Sequence, residues 1–386
     1  MDIRTGSEKL ILYTGSYNMP ILTGDGRILR RNGEGIRVFR FDEGEGTLEP
    51  LVCYPEVKNA SWMTFSPDRK TLYAVNELDD YEGTGGGALT AMAVEKDGSL
   101  ALRNCLPVMG AAPCHVNCDG SGGHVFTANY NGGSLSSFAV KEDGSLDHLD
   151  GQIIHAVEKD RPGGIDMLRQ ERAHVHSASV FDGYLWITDL GTDEVSVYEP
   201  DGNGVVTEGG DGNGPRACCS IRLPAGSGPR SLAFGGDGFV YVSCELSNRI
   251  AVLQRKGNTL HLCGSVPALP EEDSEGETRK ASFPGGVLLS ADGRYLYVGN
   301  RGHDSIGVFR IGSGGVPEGV RWIPSGGKNP RGFQLSPSGK WMIVANQDSD
   351  DLVVFRRNEE TGGLTEHGRY RAGAVVCLEF LQAKEG

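Results

Sequence analysis

One pattern recurs six times along this chain, and the repeat restricts the fold more than any single motif does. Each copy has an apolar strand, a turn of Gly, Asp, Ser and Pro, a second strand rich in Tyr, Val, Phe and Trp, a polar turn and usually a third apolar strand. A weaker seventh copy opens the chain, where LILYTGSYN is followed by GIRVFRF. The residues that end the second strands of the six clear copies lie 46 to 60 positions apart; they are Asn76, Asn129, Asp189, Cys244, Asn300 and Asn346.

A unit of about 40 to 60 residues with four short strands is typical of a β-propeller blade, and seven blades lie within the usual range of about four to eight. The first copy lacks its leading strand, and the chain ends with the apolar segment VVCLEFLQ. We expect this C-terminal strand to join the N-terminal blade and close the ring, because closure removes an exposed sheet edge. The sequence therefore predicts an all-β, seven-bladed β-propeller with four-stranded antiparallel blades, formed by residues 1–386 as a single domain. An open stack of sheets is the alternative.

The composition agrees with many short strands joined by tight turns. Glycine contributes 58 of the 386 residues, about twice its usual share of roughly 7%, and it clusters between apolar runs. The formal net charge of −14 repels polyanions, so we expect no nucleic-acid partner. An anionic small substrate therefore needs a local cluster of arginines.

The sequence also bears on where the protein works. No apolar run approaches the ~20 residues of a membrane helix, and the first residues lack the layout of a signal peptide. We therefore expect a cytoplasmic protein without a membrane partner. Its nine cysteines are odd in number and scattered, which favours free thiols over a disulfide framework. The sequence makes no prediction of the oligomeric state.

Polar residues are predicted to meet at one end of the propeller. In each blade the first strand should line the central channel and the second should run antiparallel beside it, so the start of the first and the end of the second share a rim. The turns at the opposite end, such as SPDR and SADG, carry ordinary turn residues. The residues on the shared rim are His115, His174, His176, Arg230 and Arg331 before first strands, and Asn76, Glu77, Asn129, Asp189, Glu245, Asn300 and Arg301 after second strands.

Some of these residues have a structural explanation. Asparagine caps turns through side-chain bonds to nearby backbone, so a structural role is expected for Asn76, Asn129 and Asn346. Asn129 also stays a binding candidate because of its place on the rim. The histidines and arginines have no comparable structural explanation.

The stretch RAHVHS, residues 172–177, places two histidines two positions apart in a predicted strand, where side chains at i and i+2 face the same side. Three interpretations are open: metal ligands, a catalytic or substrate-binding pair, and buried structural histidines. A metal needs a third ligand, for which His115 or Asp189 is the candidate. Catalysis or substrate binding is the preferred interpretation, and we expect no metal.

Other possible cofactor signals are weak. The Cys114 and Cys118 spacing is loose for a zinc site and has no second pair. The Asp- and Gly-rich segment 201–214 lacks the spacing and final glutamate of a calcium loop, so we expect a flexible turn there. The GTGGG at 83–87 lacks the lysine and the strand-to-helix context of a phosphate-binding loop. We therefore expect no cofactor.

These motifs together resemble the seven-bladed propeller lactonases, a family typified by the propeller-type 6-phosphogluconolactonases and the fungal carboxy-muconate lactonizing enzymes. The resemblance covers nearly the whole chain through LYTGSY, FSPDRKTLYAVNE, ANYNGGSL, RAHVHS, GPRSLAF, YVGNRGHDSIGVF and ANQDSDDLVVF. It implies catalytic roles for His174 or His176, Arg230, Glu245 and Arg301. The remaining rim candidates are expected to bind substrate; they are His115, Glu77, Asn129, Asp189, Asn300 and Arg331.

The chain departs from the family pattern at three places. Ser231 follows Arg230 where relatives often have histidine, and Cys244 replaces the asparagine before Glu245. FPGG at 283–286 stands where many relatives carry a glutamate. These differences bear on the choice of substrate and leave the scaffold prediction unchanged.

The resemblance implies hydrolysis of a sugar-acid lactone, first of all 6-phosphogluconolactone to 6-phosphogluconate in the pentose phosphate pathway. A histidine or Glu245 would serve as general base, while Arg230 and Arg301 would stabilise the oxyanion or hold the phosphate. Cycloisomerisation of a carboxylated muconate and ligand binding without turnover are the alternatives. The insertion 155–172 runs into RAHVHS and is expected either to narrow the mouth or to form a solvated connection.

Overall fold

The computed structural model describes residues 9–22, 28–155, 166, 168–200, 217–270 and 282–381. This part of the chain forms strands and turns without a helix, so the predicted all-β class is confirmed. In particular, it contains no helix long and apolar enough to span a membrane. The segment 201–214, the insertion 271–280 and most of the insertion 155–172 lie outside the described residues.

Thirty strands follow one another along the chain. In the first half they are β1 (Lys9–Ser16), β2 (Ile21–Leu22), β3 (Ile28–Leu29), β4 (Ile36–Asp42), β5 (Thr47–Tyr54), β6 (Ala60–Phe65), β7 (Thr71–Asn76), β8 (Ala88–Val94), β9 (Leu100–Pro107), β10 (Pro113–Cys118), β11 (His124–Asn129), β12 (Ser134–Val140), β13 (Leu146–Ile154), β14 (Val175–Phe181), β15 (Tyr184–Asp189) and β16 (Glu194–Tyr198). In the second half they are β17 (Cys219–Arg222), β18 (Pro229–Phe234), β19 (Phe239–Cys244), β20 (Arg249–Lys256), β21 (Thr259–Pro267), β22 (Phe283–Leu289), β23 (Tyr295–Arg301), β24 (Ser305–Ile311), β25 (Pro317–Pro324), β26 (Pro330–Leu335), β27 (Trp341–Asn346), β28 (Asp351–Arg357), β29 (Leu364–Arg371) and β30 (Val375–Leu381).

Seven four-stranded antiparallel sheets form the predicted blades. Six of them use four consecutive strands each, from β6–β9 to β26–β29. The remaining blade has the order β30-β1-β4-β5, and Leu12 of β1 pairs with Phe380 of β30. The predicted closure of the ring by the C-terminal strand is thus confirmed. The short strands β2 and β3 form a separate hairpin.

The first strand of each blade is innermost, as predicted. These seven strands contact one another in order around a closed ring; they are β6, β10, β14, β18, β22, β26 and β30. Alternate side chains of the strands project to opposite faces of each sheet and pack between neighbouring blades. At the closing seam, for example, Phe41 and Phe380 of one blade pack with Ile343 and Val354 of the next. A blade alone would leave such a face exposed, so the repeats depend on one another for their core.

A bulge at the start of the first strand recurs in the blades that carry the site. In β14, Val175 pairs with Asp189 and Ser177 pairs with Thr188, so His176 is an extra residue opposite the partner strand. A bulge leaves its extra residue out of the ladder and changes the direction of its side chain. The equivalent extra residues of β10, β18 and β26 are Cys114, Arg230 and Arg331.

Candidate active site

A cavity of about 590 Å³ opens at the rim where first strands begin and second strands end. Its polar lining comes largely from two recurrent places in the blade. The first is the bulge of the first strand, which contributes Cys114, His176 and Arg331 to the wall. Arg230 occupies the same bulge position and reaches a carboxylate of the wall, Glu245.

The second recurrent place is one residue after each of the six positions aligned in the sequence and, in the first blade, one residue after the end of β1. In chain order, the seven residues there are Tyr17, Glu77, Tyr130, Leu190, Glu245, Arg301 and Gln347. All except Leu190 line the cavity. Their predecessors are buried within the blades, because consecutive strand residues face opposite sides.

The Glu245 carboxylate is 2% exposed and is surrounded by three guanidinium groups. Its Oε1 atom accepts a hydrogen bond of 2.8 Å from Nη2 of Arg169. Its Oε2 atom lies 3.0 Å from Nε of Arg230 and 2.6 Å from Nη2 of Arg301, but neither N–H is aligned on Oε2 as a hydrogen-bond donor. Arg230 and Arg301 are therefore paired with Glu245 by charge, whereas Arg169 makes a directed bond.

The charges at this cluster shift one another. Burial alone would raise the pKa of Glu245, but Arg301, Arg169 and Arg230 outweigh burial and hold that pKa well below its usual value. Burial and the charge of Arg301 lower the pKa of Arg230 to about 9, which leaves this group charged at neutral pH. Burial also lowers the pKa of Arg301. The cluster at pH 7 is thus one carboxylate among three guanidinium ions.

A fourth arginine belongs to a second polar group on the cavity wall. Nη2 of Arg331 donates to the Tyr17 hydroxyl at 2.6 Å, and the Tyr17 hydroxyl donates to Oε2 of Glu77 at 2.8 Å. Nη2 of Arg331 lies 4.0 Å from the same carboxylate oxygen. Burial raises the pKa of Tyr17 well above its usual value, so the phenol keeps the proton that it shares with Glu77.

Of the two histidines in RAHVHS, His176 lines the cavity. Its Nδ1 atom lies 3.6 Å from Sγ of Cys114, and its ring stands edge-on to Tyr130 with a centroid distance of 5.2 Å. Burial and the charge of Arg230 lower the pKa of His176 well below the usual value. The imidazole is therefore neutral at pH 7. Its Nδ1 atom is the ring nitrogen near the thiol, and Nε2 is the other ring nitrogen.

His174 packs behind the cavity wall and supports it. Its ring stacks on Tyr130 with centroids 4.5 Å apart, Nδ1 lies 3.1 Å from the Tyr130 carbonyl oxygen, and Nε2 lies 3.1 Å from Glu171. The alternation of a regular strand predicts that His174 and His176 face the same way. The bulge at His176 breaks that alternation. Both rings still contact Tyr130, but His176 lines the cavity and His174 does not.

His115 is also buried beside the cavity and does not line it. Its Nδ1 atom accepts a hydrogen bond of 3.4 Å from the Ala178 amide, and its ring stacks on Trp62 at 4.5 Å. Burial and the charge of Arg230 lower the pKa of His115 to about 3. This histidine is a neutral member of the inner ring packing.

Three more rim candidates are fully buried in their blades: Asn129, Asp189 and Asn300. Asn129 Nδ2 donates to Ser134 Oγ at 3.0 Å, and Asn300 Nδ2 donates to the Ala268 carbonyl at 2.9 Å. Asp189 Oδ1 accepts the His174 amide at 2.8 Å, and its Oδ2 lies 2.9 Å from His155. The polar groups of these three residues thus interact with neighbouring protein atoms and do not line the cavity.

Sequence reasoning missed Arg169, which lies in the insertion before RAHVHS. The neighbouring Gln170 anchors this segment, because its Nε2 atom donates to Asp193 at 2.8 Å and to the Leu190 carbonyl at 3.0 Å. Arg169 then reaches the Tyr130 hydroxyl through Nε at 2.9 Å as well as Glu245. No repeat register marks Arg169 in the sequence. Tyr17 and Tyr130 were also missed, although their place directly after the aligned strand ends signals the wall.

The possible metal ligands of the rim do not converge. Across the described ranges, no group of three or more His, Cys, Asp and Glu side chains is placed to hold a metal ion. The polar wall instead combines arginines, carboxylates, tyrosines and a neutral imidazole. Such a set binds an anion and stabilises negative charge that develops on a bound oxygen.

The fold and this arginine-rich mouth agree with the comparison with known families. Residues 11–380 match the family described as lactonase, 7-bladed beta-propeller. The chain belongs to this family, as its motifs predicted.

Particular relatives give the family its known activities. The chain is 30% identical to the 6-phosphogluconolactonase of Bacillus subtilis over 97% of this chain and 99% of that protein. It is 30% identical to the 6-phosphogluconolactonase of Formosa agariphila over 87% and 92% of the two chains. The solved structure of the periplasmic gluconolactonase of Pseudomonas aeruginosa superposes with a TM-score of 0.82 at 30% identity, covering 97% of this chain and 99% of that one.

Proposed function

We propose that this protein hydrolyses the lactone ring of a sugar acid, with 6-phosphogluconolactone as the first candidate substrate and the pentose phosphate pathway as its place. The observation that carries the proposal is the charge of the cavity. Around Glu245 and beside Glu77, four guanidinium groups meet two carboxylates; the four are those of Arg169, Arg230, Arg301 and Arg331. Positive charge is therefore in excess at this inner part of the site, within a protein whose formal net charge is −14. A small anionic lactone is drawn to such a site, whereas the rest of the surface repels it.

Ester hydrolysis develops negative charge on the carbonyl oxygen, and Arg230 with Arg301 is the pair suited to receive it. Both guanidinium groups are charged and close to Glu245, yet neither aligns an N–H on Oε2. A reacting oxygen in contact with them gains two cationic donors. Arginine is suited to this role because it stays charged and presents its donors in a rigid fork.

Glu245 supports this pair and is a poor choice of base. Three guanidinium groups keep the pKa of its carboxyl well below the usual value, against the effect of burial. A carboxylate held that strongly takes up a proton from water only at great cost. We therefore propose that Glu245 orients Arg230 and Arg301. This role replaces that of catalytic base, which the sequence had also allowed for Glu245.

An unphosphorylated gluconolactone is the second candidate substrate. The structural relative from Pseudomonas aeruginosa is named a periplasmic gluconolactonase, a name that refers to a lactone without a phosphate group. The two substrates share the ring that is opened. Only the phosphorylated substrate carries a phosphate group that can contact the cavity wall. Arg331 is our candidate for binding that phosphate. For the present chain we keep the cytoplasm as the place of reaction, since its nine scattered cysteines suit a reducing compartment.

The experiment is a comparison of lactones. Proton release from freshly prepared 6-phosphogluconolactone, gluconolactone and a carboxylated muconolactone is followed with and without protein, in the presence of EDTA. The proposal predicts a rate above spontaneous hydrolysis for at least one sugar lactone, with the phosphorylated one preferred. Turnover of the muconolactone alone, with the muconate and not the hydroxy acid as product, would assign the cavity to cycloisomerisation. Binding of 6-phosphogluconate without turnover of any lactone would make the protein a ligand-binding propeller.

A further inference from the structure

Hydrolysis needs a group that takes a proton from the attacking water, and the cavity offers several candidates. Its lining carboxylates within the described chain are Glu77, Asp166, Glu245, Asp304 and Asp348. His176 is the lining imidazole. These groups differ in how far their oxygen or nitrogen atoms are already engaged by protein donors.

Most of the carboxylates are committed to structural partners. Asp348 pairs with Arg31 at 2.9 Å, and Asp166 Oδ1 accepts the amides of Leu168 and Arg169 at 3.0 and 3.2 Å. Asp304 Oδ1 accepts the Asn329 amide at 2.7 Å. Glu245 is paired with the guanidinium groups of Arg169, Arg230 and Arg301.

Glu77 is engaged differently, because its side-chain hydrogen bond comes from a phenol hydroxyl that itself belongs to the cavity wall. Oε2 accepts the Tyr17 hydroxyl at 2.8 Å. No hydrogen bond from the described residues reaches Oε1. The side chain is 16% exposed and lines the cavity. It is therefore both oriented and accessible to a water molecule or a ligand.

The backbone around Glu77 is fixed by the residue that precedes the first strand of its own blade, and through that residue by the neighbouring blade. The Glu77 amide donates to the Asn59 carbonyl at 3.1 Å, and Asn59 Nδ2 donates back to the Glu77 carbonyl at 3.1 Å. Asn59 Oδ1 also accepts the Asn18 amide at 3.0 Å, while Asn18 Oδ1 accepts the Asn59 amide at 2.9 Å. Since Asn18 follows Tyr17, these reciprocal hydrogen bonds hold the tyrosine and the Glu77 carboxylate in fixed positions relative to each other.

We infer that Glu77 is the general base that activates water for attack on the lactone. The inference rests on the proposed lactone hydrolysis. Glu77 and Arg301 line different parts of the same cavity, and Cys114 lines it as well. A lactone bound in this cavity can turn its carbonyl oxygen to the arginines while water approaches from Glu77.

The proton balance of the step is complete without a further reactant. A water O–H bond breaks as the water oxygen bonds to the lactone carbonyl carbon, and the proton moves to Oε1 of Glu77. The carbonyl electron pair becomes the oxyanion beside Arg230 and Arg301. Collapse of this intermediate breaks the ring C–O bond, and the protonated Glu77 returns its proton to the leaving alkoxide. The product is the open hydroxy acid, and Glu77 is again a carboxylate.

The test is Glu77→Gln, which keeps the size and hydrogen-bonding reach of the side chain and removes its basicity. We expect kcat to fall by about 10² to 10⁴-fold, with KM changed by less than about threefold. Added formate should restore part of kcat in this variant by serving as a small external base. Glu77→Asp should retain more activity than Glu77→Gln, because it keeps a carboxylate one methylene further from the water.

Controls separate this inference from the function on which it rests. Glu56→Gln, the same change at an exposed glutamate, should leave kcat unchanged. Binding of 6-phosphogluconate to Glu77→Gln should persist if the variant is folded. An active wild type with Glu77→Gln within about threefold of its kcat overturns the role of Glu77 and leaves the lactonase proposal standing. Loss of kcat without any rescue by formate, together with loss of 6-phosphogluconate binding, also overturns it. A wild type without activity on any lactone overturns both.

Discussion

Glu245 and Arg301 occupy the equivalent position of two adjacent blades, and their side chains meet with Oε2 and Nη2 2.6 Å apart. Tyr17 and Glu77 form a second pair of the same kind, one blade apart and 2.8 Å from oxygen to oxygen. The propeller repeat thus brings chemically matched residues together across blade boundaries. Each pair meets only when neighbouring blades pack against each other, so site and fold are coupled.

The first prediction concerns the stability contributed by Glu245. We expect Glu245→Gln to destabilise the protein at pH 7 by on the order of 3–5 kcal/mol, because it leaves one buried and two partly buried guanidinium groups without their counter-ion. The pKa of Glu245 is lowered in the folded state, so the contribution is present above the usual value of 4.5 and is lost as pH falls towards the folded value. Urea unfolding of both proteins at pH 7 and pH 4 measures the difference in their free energies of unfolding. A difference from wild type that grows on acidification would contradict this account.

Arg169 should matter more than its neighbour in sequence. Arg169→Gln removes the aligned donor on Oε1 of Glu245, which we expect to cost about 1–3 kcal/mol because the acceptor is buried. Arg172→Gln is the matched control, since the Arg172 side chain is 57% exposed and surface ion pairs contribute little. Denaturant unfolding of both variants is the measurement. Equal stabilities would show that the insertion does not support the site.

Two buried neutral histidines should make the protein sensitive to mild acid. The pKa of His115 is lowered to about 3 and that of His176 lies well below its usual value, in both cases first through burial and next through Arg230. Below pH 6.5 the unfolded chain binds protons that the folded chain does not, so stability decreases as pH falls. Each group contributes a slope of up to about 1.4 kcal/mol per pH unit.

The double variant His115→Gln/His176→Gln tests the origin of that slope. Its unfolding free energy should change less between pH 6.5 and pH 5 than that of the wild type, whatever its absolute stability at pH 7. Chemical denaturation at several pH values gives both slopes. Identical slopes for the two proteins would mean that other groups control the acid response.

Closure of the ring can be tested at its seam. Phe380 of β30 is 3% exposed and packs against Phe41 with ring centroids 5.5 Å apart. We expect Phe380→Ala to destabilise the protein by about 3–5 kcal/mol, as for other large-to-small changes in a core. Leu262→Ala is the control, because Leu262 lies on an outer strand and is 41% exposed. Similar losses in both variants would argue against a closed, cooperative ring.

The blade number, the closing strand and the functional rim were predictable because they depend on periodic features of the sequence. The residues that end the second strands recur in register, and tight turns separate them. The side chains of the wall follow these residues by one position. A shift of one residue reverses the face of a strand, which is why Asn129 is buried in its blade while Tyr130 lines the cavity.

The rest of the site depends on features that leave no periodic signal. The bulge that separates His176 from His174 is a matter of backbone pairing, and RAHVHS reads as an ordinary strand. Arg169 comes from an irregular insertion whose placement depends on tertiary contacts of Gln170. The sequence could therefore name the histidine pair and the rim arginines, but not the residue that faces the cavity or the third partner of Glu245.

The most direct test of the proposed arginine-assisted lactone hydrolysis is the rate of Arg301→Ala on the lactone that wild type turns over best. Proton release in the presence of EDTA is measured beside Arg356→Ala, which removes an exposed arginine from an outer part of its blade. We predict that Arg301→Ala loses about 10² to 10³-fold in kcat, as expected for removal of an oxyanion donor, while Arg356→Ala retains the wild-type rate. Equal rates for the two variants would contradict the account.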